Sequence, residues 1–214
     1  MQAGEVALRF VNTVDLRWST ADDSLRDHAE LLAWAVRERV VDEELSARLA
    51  DLAARDPRQA DAAFGAAVAF RECLYRVLEA VSRSADPDGA DLAVVDDRLA
   101  ASRPRLRAGA VPGRLVLDHE HLGPPLEALL GPVARSAVEL LTGEAASRLR
   151  ACPGSPGRAC GWLFVDATKN GNRRYCVSGL CANRARVSRH RARRRRPAAD
   201  GGDEGDPAPL TSTL

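Results

Sequence analysis

The strongest constraint on this chain is a set of four cysteines within thirty residues: Cys152, Cys160, Cys176 and Cys181, spaced Cys-x7-Cys-x15-Cys-x4-Cys. A fifth, Cys73, stands alone. The opening Met1-Gln2-Ala3-Gly4-Glu5 has neither the basic patch nor the apolar run of a secretory signal. No apolar stretch reaches the length that spans a bilayer. A cytoplasmic protein without a membrane partner is therefore expected. Thiols stay reduced there, so clustered cysteines read as metal ligands rather than as a disulfide framework.

Zinc takes thiolates at the corners of a tetrahedron, and an all-cysteine set leaves no open position for substrate. One structural zinc per chain is expected. Pro153-Gly154-Ser155-Pro156-Gly157 lets the chain double back between the first two ligands. Trp162-Leu163-Phe164-Val165 reads as a strand, Asn170-Gly171 as a hairpin turn, and Arg173-Arg174-Tyr175 as the returning strand. Ser178 is then placed to cap a helix whose first turn carries Cys181. Loop ligands, a hairpin and ligands at a helix start make a treble-clef-like module. Its apolar core is so small that zinc must supply the folding energy, about 10–16 kcal/mol in comparable peptides.

The net charge of +1 averages over an uneven distribution. Residues 148–196 hold fourteen Lys and Arg against a single acid, Asp166, whereas acids dominate the preceding chain. Asp200, Asp203, Glu204 and Asp206 follow with no base among them. In the helix after Cys181, Arg186, Arg189, His190 and Arg193 share one face, and Arg184, Arg191 and Arg195 another. No apolar stripe continues beyond Val187. Like charges at i, i+4, such as Arg189 and Arg193, oppose that helix by a few tenths of a kcal/mol, and a polyphosphate reverses the sign.

The expected partner is nucleic acid, double-stranded DNA first, with Arg173, Arg174, Asn183, Arg184, Arg186, Arg189, His190, Arg193 and Arg194 as contacts. Asn183 and Arg184 lie nearest the metal and suit base edges, since Asn pairs with adenine and Arg with guanine. The others suit phosphates. An RNA-binding module is the alternative, though Trp162, Phe164 and Tyr175 are the segment's only aromatics for stacking.

The preceding chain is patterned for helices, rich in Ala and Leu and poor in aromatics. Its opening, Val6 through Val11, fits either a short strand or a first helix turn, with the helix preferred. Helices follow over 27–39 (with Trp34 at the edge), 43–54, 59–83, 92–99 and 124–141. In the third of these, Phe70, Leu74, Val77, Leu78 and Val81 form one stripe. In the last, Leu126, Leu129, Leu130, Val133, Ala137, Leu140 and Leu141 do so. Alternating segments 103–107 and 114–118 read as a hairpin, with His119-Glu120-His121 in an exposed loop after it. The architecture is mainly α: a helical domain over 1–147 with a small β-hairpin, the four-cysteine module over 148–196, and a disordered tail over 197–214 too poor in apolar residues to order. The two folded parts are expected to have separate cores, so that a chain cut near Gly143 stays folded.

No Gly-rich phosphate loop or Gly-x-Ser-x-Gly elbow occurs, so an enzyme is not expected; one with its site in the helical domain is the other alternative. Cys73 reads as a core thiol, with redox sensing as the sharper option. Asn12 and Trp18 are candidates for a ligand pocket, against helix capping by Asn12 and plain burial of Trp18.

The stretch Cys160-Gly161-Trp162-Leu163-Phe164-Val165-Asp166, followed by Asn170, Arg173-Arg174-Tyr175-Cys176 and Cys181-Ala182-Asn183-Arg184, resembles the CGNR zinc-finger family of bacterial transcription regulators. Ala182 stands where that family has glycine, and Tyr175 where it often has Trp. Phe10-Val11-Asn12-Thr13 and Leu31-Leu32-Ala33-Trp34 resemble motifs of the helical domain that usually precedes this finger, an ABATE-like stress-induced regulator domain. The resemblance implies transcription regulation. The finger would deliver its helix to DNA, and the helical domain would sense a small-molecule effector or form a homodimer.

Overall fold

The computed structural model describes residues 4–109, 111–155, 158–176 and 180–195. The expectations for Ser178 and for the 197–214 tail lie outside the described residues, as do those for the side chains of Arg189, Arg193 and Arg194.

Helix α1 (Glu5–Val11) is followed by a short antiparallel pair, β1 (Val14–Asp15) and β2 (Asp22–Asp23). Four helices come next: α2 (His28–Arg37), α3 (Glu43–Arg55), α4 (Pro57–Ser82) and α5 (Gly89–Ala100). Each starts behind an aspartate, Asp27, Asp42, Asp56 or Asp88, whose carboxylate accepts a backbone N–H of the first turn. At the α3–α4 junction Pro57 follows Asp56 directly, a position where the missing N–H costs nothing.

α4 is the axis of the domain. Phe70, Leu74, Val77 and Leu78 are buried along it and α1, α2, α3, α5 and a later helix, α6 (Leu130–Thr142), pack around it. Phe10 of α1 meets both Trp34 and Phe70, with ring centroids 5.0 and 6.2 Å apart. Trp34 is consequently 2% exposed, a core residue rather than the expected edge residue. The expected helix over 124–141 is divided into a 3-10 turn, Pro125–Glu127, and α6. Pro132 accounts for the break. It lacks an N–H and would clash with the carbonyl four residues back, so it is accommodated in the first turn of a helix beginning at Leu130.

β3 (Ser102–Ala108) and β4 (Leu115–His121) form the expected hairpin, in register from Ser102↔His121 to Ala108↔Leu115. His119-Glu120-His121 therefore belongs to β4 and not to a loop, because Ser102, Arg103 and Pro104 extend the pairing to meet it.

The strand β6 (Leu163–Val165) pairs with β5 (Leu149–Ala151), in the register Leu149↔Val165 to Ala151↔Leu163. The expected partner, residues 173–175, is instead drawn into a loop described below. Leu149 and Leu163 are 0% and 1% exposed and belong to the same apolar cluster as Phe10, Phe70 and Leu74. The expectation of separate cores is thereby corrected: the cysteine module inserts one edge of its small sheet into the helical core. Among the described residues no helix is long and apolar enough to cross a membrane.

Candidate metal centre and nucleic-acid interface

Cys152 directly follows β5 and Cys160 precedes β6, and the loop between them folds back on itself. Ser155 and Arg158 form an isolated antiparallel bridge, the Cys152 N–H donates to the Trp162 carbonyl at 2.7 Å, and the Gly161 N–H donates to the Cys152 carbonyl at 3.0 Å. Gly154 makes this possible. Its φ is +76°, and a Cβ there would lie 2.2 Å from the Arg158 carbonyl oxygen, so no other residue fits. Cys176 follows the loop after β6, and Cys181 lies on the first turn of α7 (Leu180–Arg195). All four cysteines are buried, and their sulfurs lie within 4.8 Å of one another. A tetrahedral zinc with Zn–S bonds near 2.3 Å sets sulfurs about 3.8 Å apart, so the four thiols converge as a zinc ion requires. Burial and the neighbouring Cys152 and Cys176 push the Cys181 thiol up to about 11. Hydrogen bonding to Cys152 and Cys176, together with burial, also raises that of Cys160. A divalent cation is what makes four thiolates at this spacing stable. Trp162, Phe164 and Tyr175 pack around the cluster.

The loop from β6 to Cys176 is organised by Asp166, which is fully buried. Its carboxylate accepts from the Thr168 hydroxyl at 2.6 Å, the Thr168 N–H at 2.9 Å and the Arg173 N–H at 2.8 Å. These bonds, the Thr168 side-chain bond foremost, hold its carboxyl below the usual carboxylate range. With its N–H turned onto Asp166, Arg173 is not free to continue a ladder beside β6, and the Asn170-Gly171 turn closes a loop instead of a hairpin. The Arg173 side chain is also committed: its Nε donates to the Tyr175 carbonyl at 2.8 Å, and its guanidinium lies 4.7 Å from the centre of the Phe164 ring.

Residues 12–19 of the helical part grip this module. The Asn12 amide donates to the Leu163 carbonyl at 2.8 Å and accepts the Leu163 N–H at 2.9 Å, acting as one more strand residue on β6. The Trp162 indole donates to the Val14 carbonyl at 3.1 Å, and the Arg17 N–H to the Cys160 carbonyl at 2.8 Å. Tyr75 of α4 donates its hydroxyl to the Gly161 carbonyl at 2.9 Å. Burial pushes that hydroxyl up to about 12, so it stays a donor at physiological pH. The Arg17 guanidinium lies 4.0 Å from the centre of the Tyr75 ring and pairs with Glu72. Arg71, 2% exposed, bonds both Asp23 oxygens (2.9 and 2.6 Å) and the Thr13 hydroxyl (3.0 Å), which pins the 13–23 segment to α4. Gly161, at φ +79°, lets this segment come close: a Cβ would sit 3.1 Å from Arg17 Cβ and 3.2 Å from the Trp18 ring.

Of Asn12 and Trp18, the candidates for a ligand pocket, Asn12 lines a cleft between α1 and the module, and Trp18 is not among the residues lining that cleft. Both polar atoms of Asn12 are used on Leu163. Trp18, at 39% exposed, lies against Gly161 with the Arg83 guanidinium 5.8 Å from its ring centre. Cys73 is half-buried beside Arg76 and Asp91, and burial raises its thiol, the opposite of an activated thiolate. The four cysteines are the one metal-ligand group among the described residues.

On α7, Cys181, which belongs to the cluster, and Ala185, one turn on, are 7% and 5% exposed. Asn183, Arg184, Arg186, Val187 and His190 are exposed, as is Arg174 before the helix. The helix is thus anchored at its start and carries cations outward.

Residues 4–144 match the family model ABATE, described as "Putative stress-induced transcription regulator", and residues 148–194 match the CGNR zinc finger. No curated protein matches the chain. With the four thiols converged and the first model covering most of its length, the chain belongs to the ABATE family and carries a CGNR zinc finger, the architecture of a zinc-module transcription regulator and not of an enzyme.

Proposed function

We propose that this regulator acts in the cytoplasm by presenting α7 to double-stranded DNA, with residues 1–147 sensing or dimerising and residues 148–196 binding. The observation that carries this reading is the one-sided docking of α7. Cys181 and Ala185 are its buried anchors, while Asn183, Arg184, Arg186 and His190 face solvent. A helix whose sequence runs on through Arg189, Arg191 and Arg193–Arg195 without an apolar face gains little from packing on its own chain. Phosphates offset its self-repulsion and release counterions. Asn183 and Arg184 lie two and three residues beyond a zinc ligand, where the metal fixes the backbone well enough to aim a side chain at a base edge. Arg174, Arg186, Arg189, His190, Arg193 and Arg194 serve as phosphate contacts. Arg173 serves chiefly by bracing Phe164 and the Tyr175 carbonyl.

Sequence selection from random duplexes, followed by competition with RNA of the same sequence at fixed salt, tests the reading. The selected duplex should outcompete RNA. Arg184→Ala should lose roughly 1–3 kcal/mol on the selected site and far less on random DNA. Preference for RNA would move the function to the RNA-binding alternative. Loss of zinc from Arg184→Ala with site preference unchanged would assign Arg184 to the metal.

A further inference from the structure

A cleft of about 550 Å³ lies where α1 meets the module, between Leu8 and Asn12 on one side and residues 163–167 with Arg173 on the other. Glu144, Ala145 and Arg148 close its end. The volume falls within the usual range for small-molecule sites, roughly 300–1,000 Å³. We propose that this cleft binds a small organic carboxylate with an apolar body, and that it is the effector site of the regulator.

Three acids and three arginines line the cleft, and it is the unused donors of two arginines that favour an anion. Two of the acids have their acceptor atoms engaged: Glu5 pairs with Arg9, itself shared with Glu38, and the ionised Asp166 accepts the three hydrogen bonds described above. Glu144 is exposed at the rim, so its charge is solvated. Arg148 and Arg173 are held in position by carbonyls, Thr168 for the first and Tyr175 for the second. Each spends one N–H of a planar five-donor fork on that anchor, which leaves pre-oriented donors suited to bidentate capture of a carboxylate. The remaining wall is apolar: Leu8, Ala145, Leu163, Phe164, Val165 and Ala167. A bare inorganic ion would leave that wall unused, and a neutral hydrophobe would leave the guanidinium groups unpaired. An acid with an aromatic or aliphatic body satisfies both.

The position gives such a ligand a consequence. It would touch α1 of the helical part and the Asp166 loop that carries Arg173 and leads to Cys176, and so would bridge the two family units. That regulatory role rests on the DNA-binding reading; ligand binding itself does not, and is measured without DNA.

The test uses the full zinc-loaded chain, titrated calorimetrically with benzoate and octanoate, with benzyl alcohol and octanol as neutral counterparts, while NMR follows the Arg148 and Arg173 Nε–H signals. One or both acids should bind saturably and shift both arginine signals, and the alcohols should not. Arg148→Met, which keeps the apolar stem, should weaken binding about ten-fold or more. Ala167→Trp, at an exposed position on the wall, should block it while leaving zinc content unchanged. The proposal is overturned if neither acid binds up to about 10 mM, if an alcohol binds as well as its acid, or if both variants bind normally. It is equally overturned if duplex DNA, but neither acid, moves the two arginine signals, which would make the cleft part of the nucleic-acid face.

Discussion

Asn12→Leu isolates the junction between the two family units. The substitution keeps the number and branching of side-chain heavy atoms but removes both hydrogen bonds to Leu163, at 2.8 and 2.9 Å. Leu163 is 1% exposed, so its N–H and carbonyl have no ready access to water once the amide is gone. A buried polar group left without a partner costs about 1–3 kcal/mol, and two such groups on one residue put the loss near 3 kcal/mol. For a chain of this size each kcal/mol lowers Tm by roughly 2–4 °C, so a drop of roughly 6–12 °C is expected. Thermal unfolding of the zinc-loaded protein by circular dichroism measures the drop, and a colorimetric chelator measures how fast zinc leaves. Both should change, because β6 is held by the metal module on one side and by α1 on the other. A Tm within about 2 °C of the parent, with zinc release unaltered, would refute the reasoning and make Asn12 a mere helix cap.

Three further outcomes follow from the same geometry. A chain ending near Gly143 loses Leu149 and Leu163 from the core, each worth about 1.5–3 kcal/mol of burial. It should be markedly less stable or aggregate, and a soluble, cooperatively folding truncation would contradict the shared core. Asp166 has its carboxyl held low in the folded state, so its contribution is complete above the ordinary carboxylate range and is lost as pH falls through that lowered value. Asp166→Ala should therefore lower stability at neutral pH and flatten the acid limb of a stability–pH profile; an unchanged profile would remove Asp166 from the loop's support. Arg174→Ala should weaken DNA binding and reduce the salt slope by about 0.9 without altering Tm, whereas Arg173→Ala should lower Tm, and equal Tm values for the two would contradict the bracing role of Arg173.

What the sequence made legible was local. The stripe Phe70, Leu74, Val77, Leu78 repeats at helical spacing, and nothing competes with it. The cysteines announce their site by residue type alone, and Pro153-Gly154 marks the turn between the first two. Features set by partners distant in the chain were not readable. Leu163 finds its strand partner at Ala151 because the Asp166 carboxylate captures the Arg173 N–H, and no dipeptide rule carries that preference against Asn170-Gly171. Asn12 is 151 residues from Leu163, so its role as a strand surrogate has no local signal. Trp34 looked like an edge residue because its aromatic partner, Phe10, lies on another helix. Pro132 alone could have signalled the broken helix before α6, since a proline is well tolerated in a first turn and poorly in an interior.

The central claim is that a metal-anchored helix delivers cations to DNA, and its most direct test is the salt dependence of duplex binding by the full chain before and after zinc withdrawal. With zinc bound, the exposed Arg174, Arg184 and Arg186 and the arginines farther along α7 should give log K against log salt a slope of roughly −4 or steeper, at about 0.9 per phosphate neutralised. After chelation the helix loses its anchor at Cys181, and preference for a selected site should vanish while only weak, sequence-blind binding persists. Site preference and slope unchanged in the zinc-free protein, or duplex binding insensitive to salt, would contradict the account.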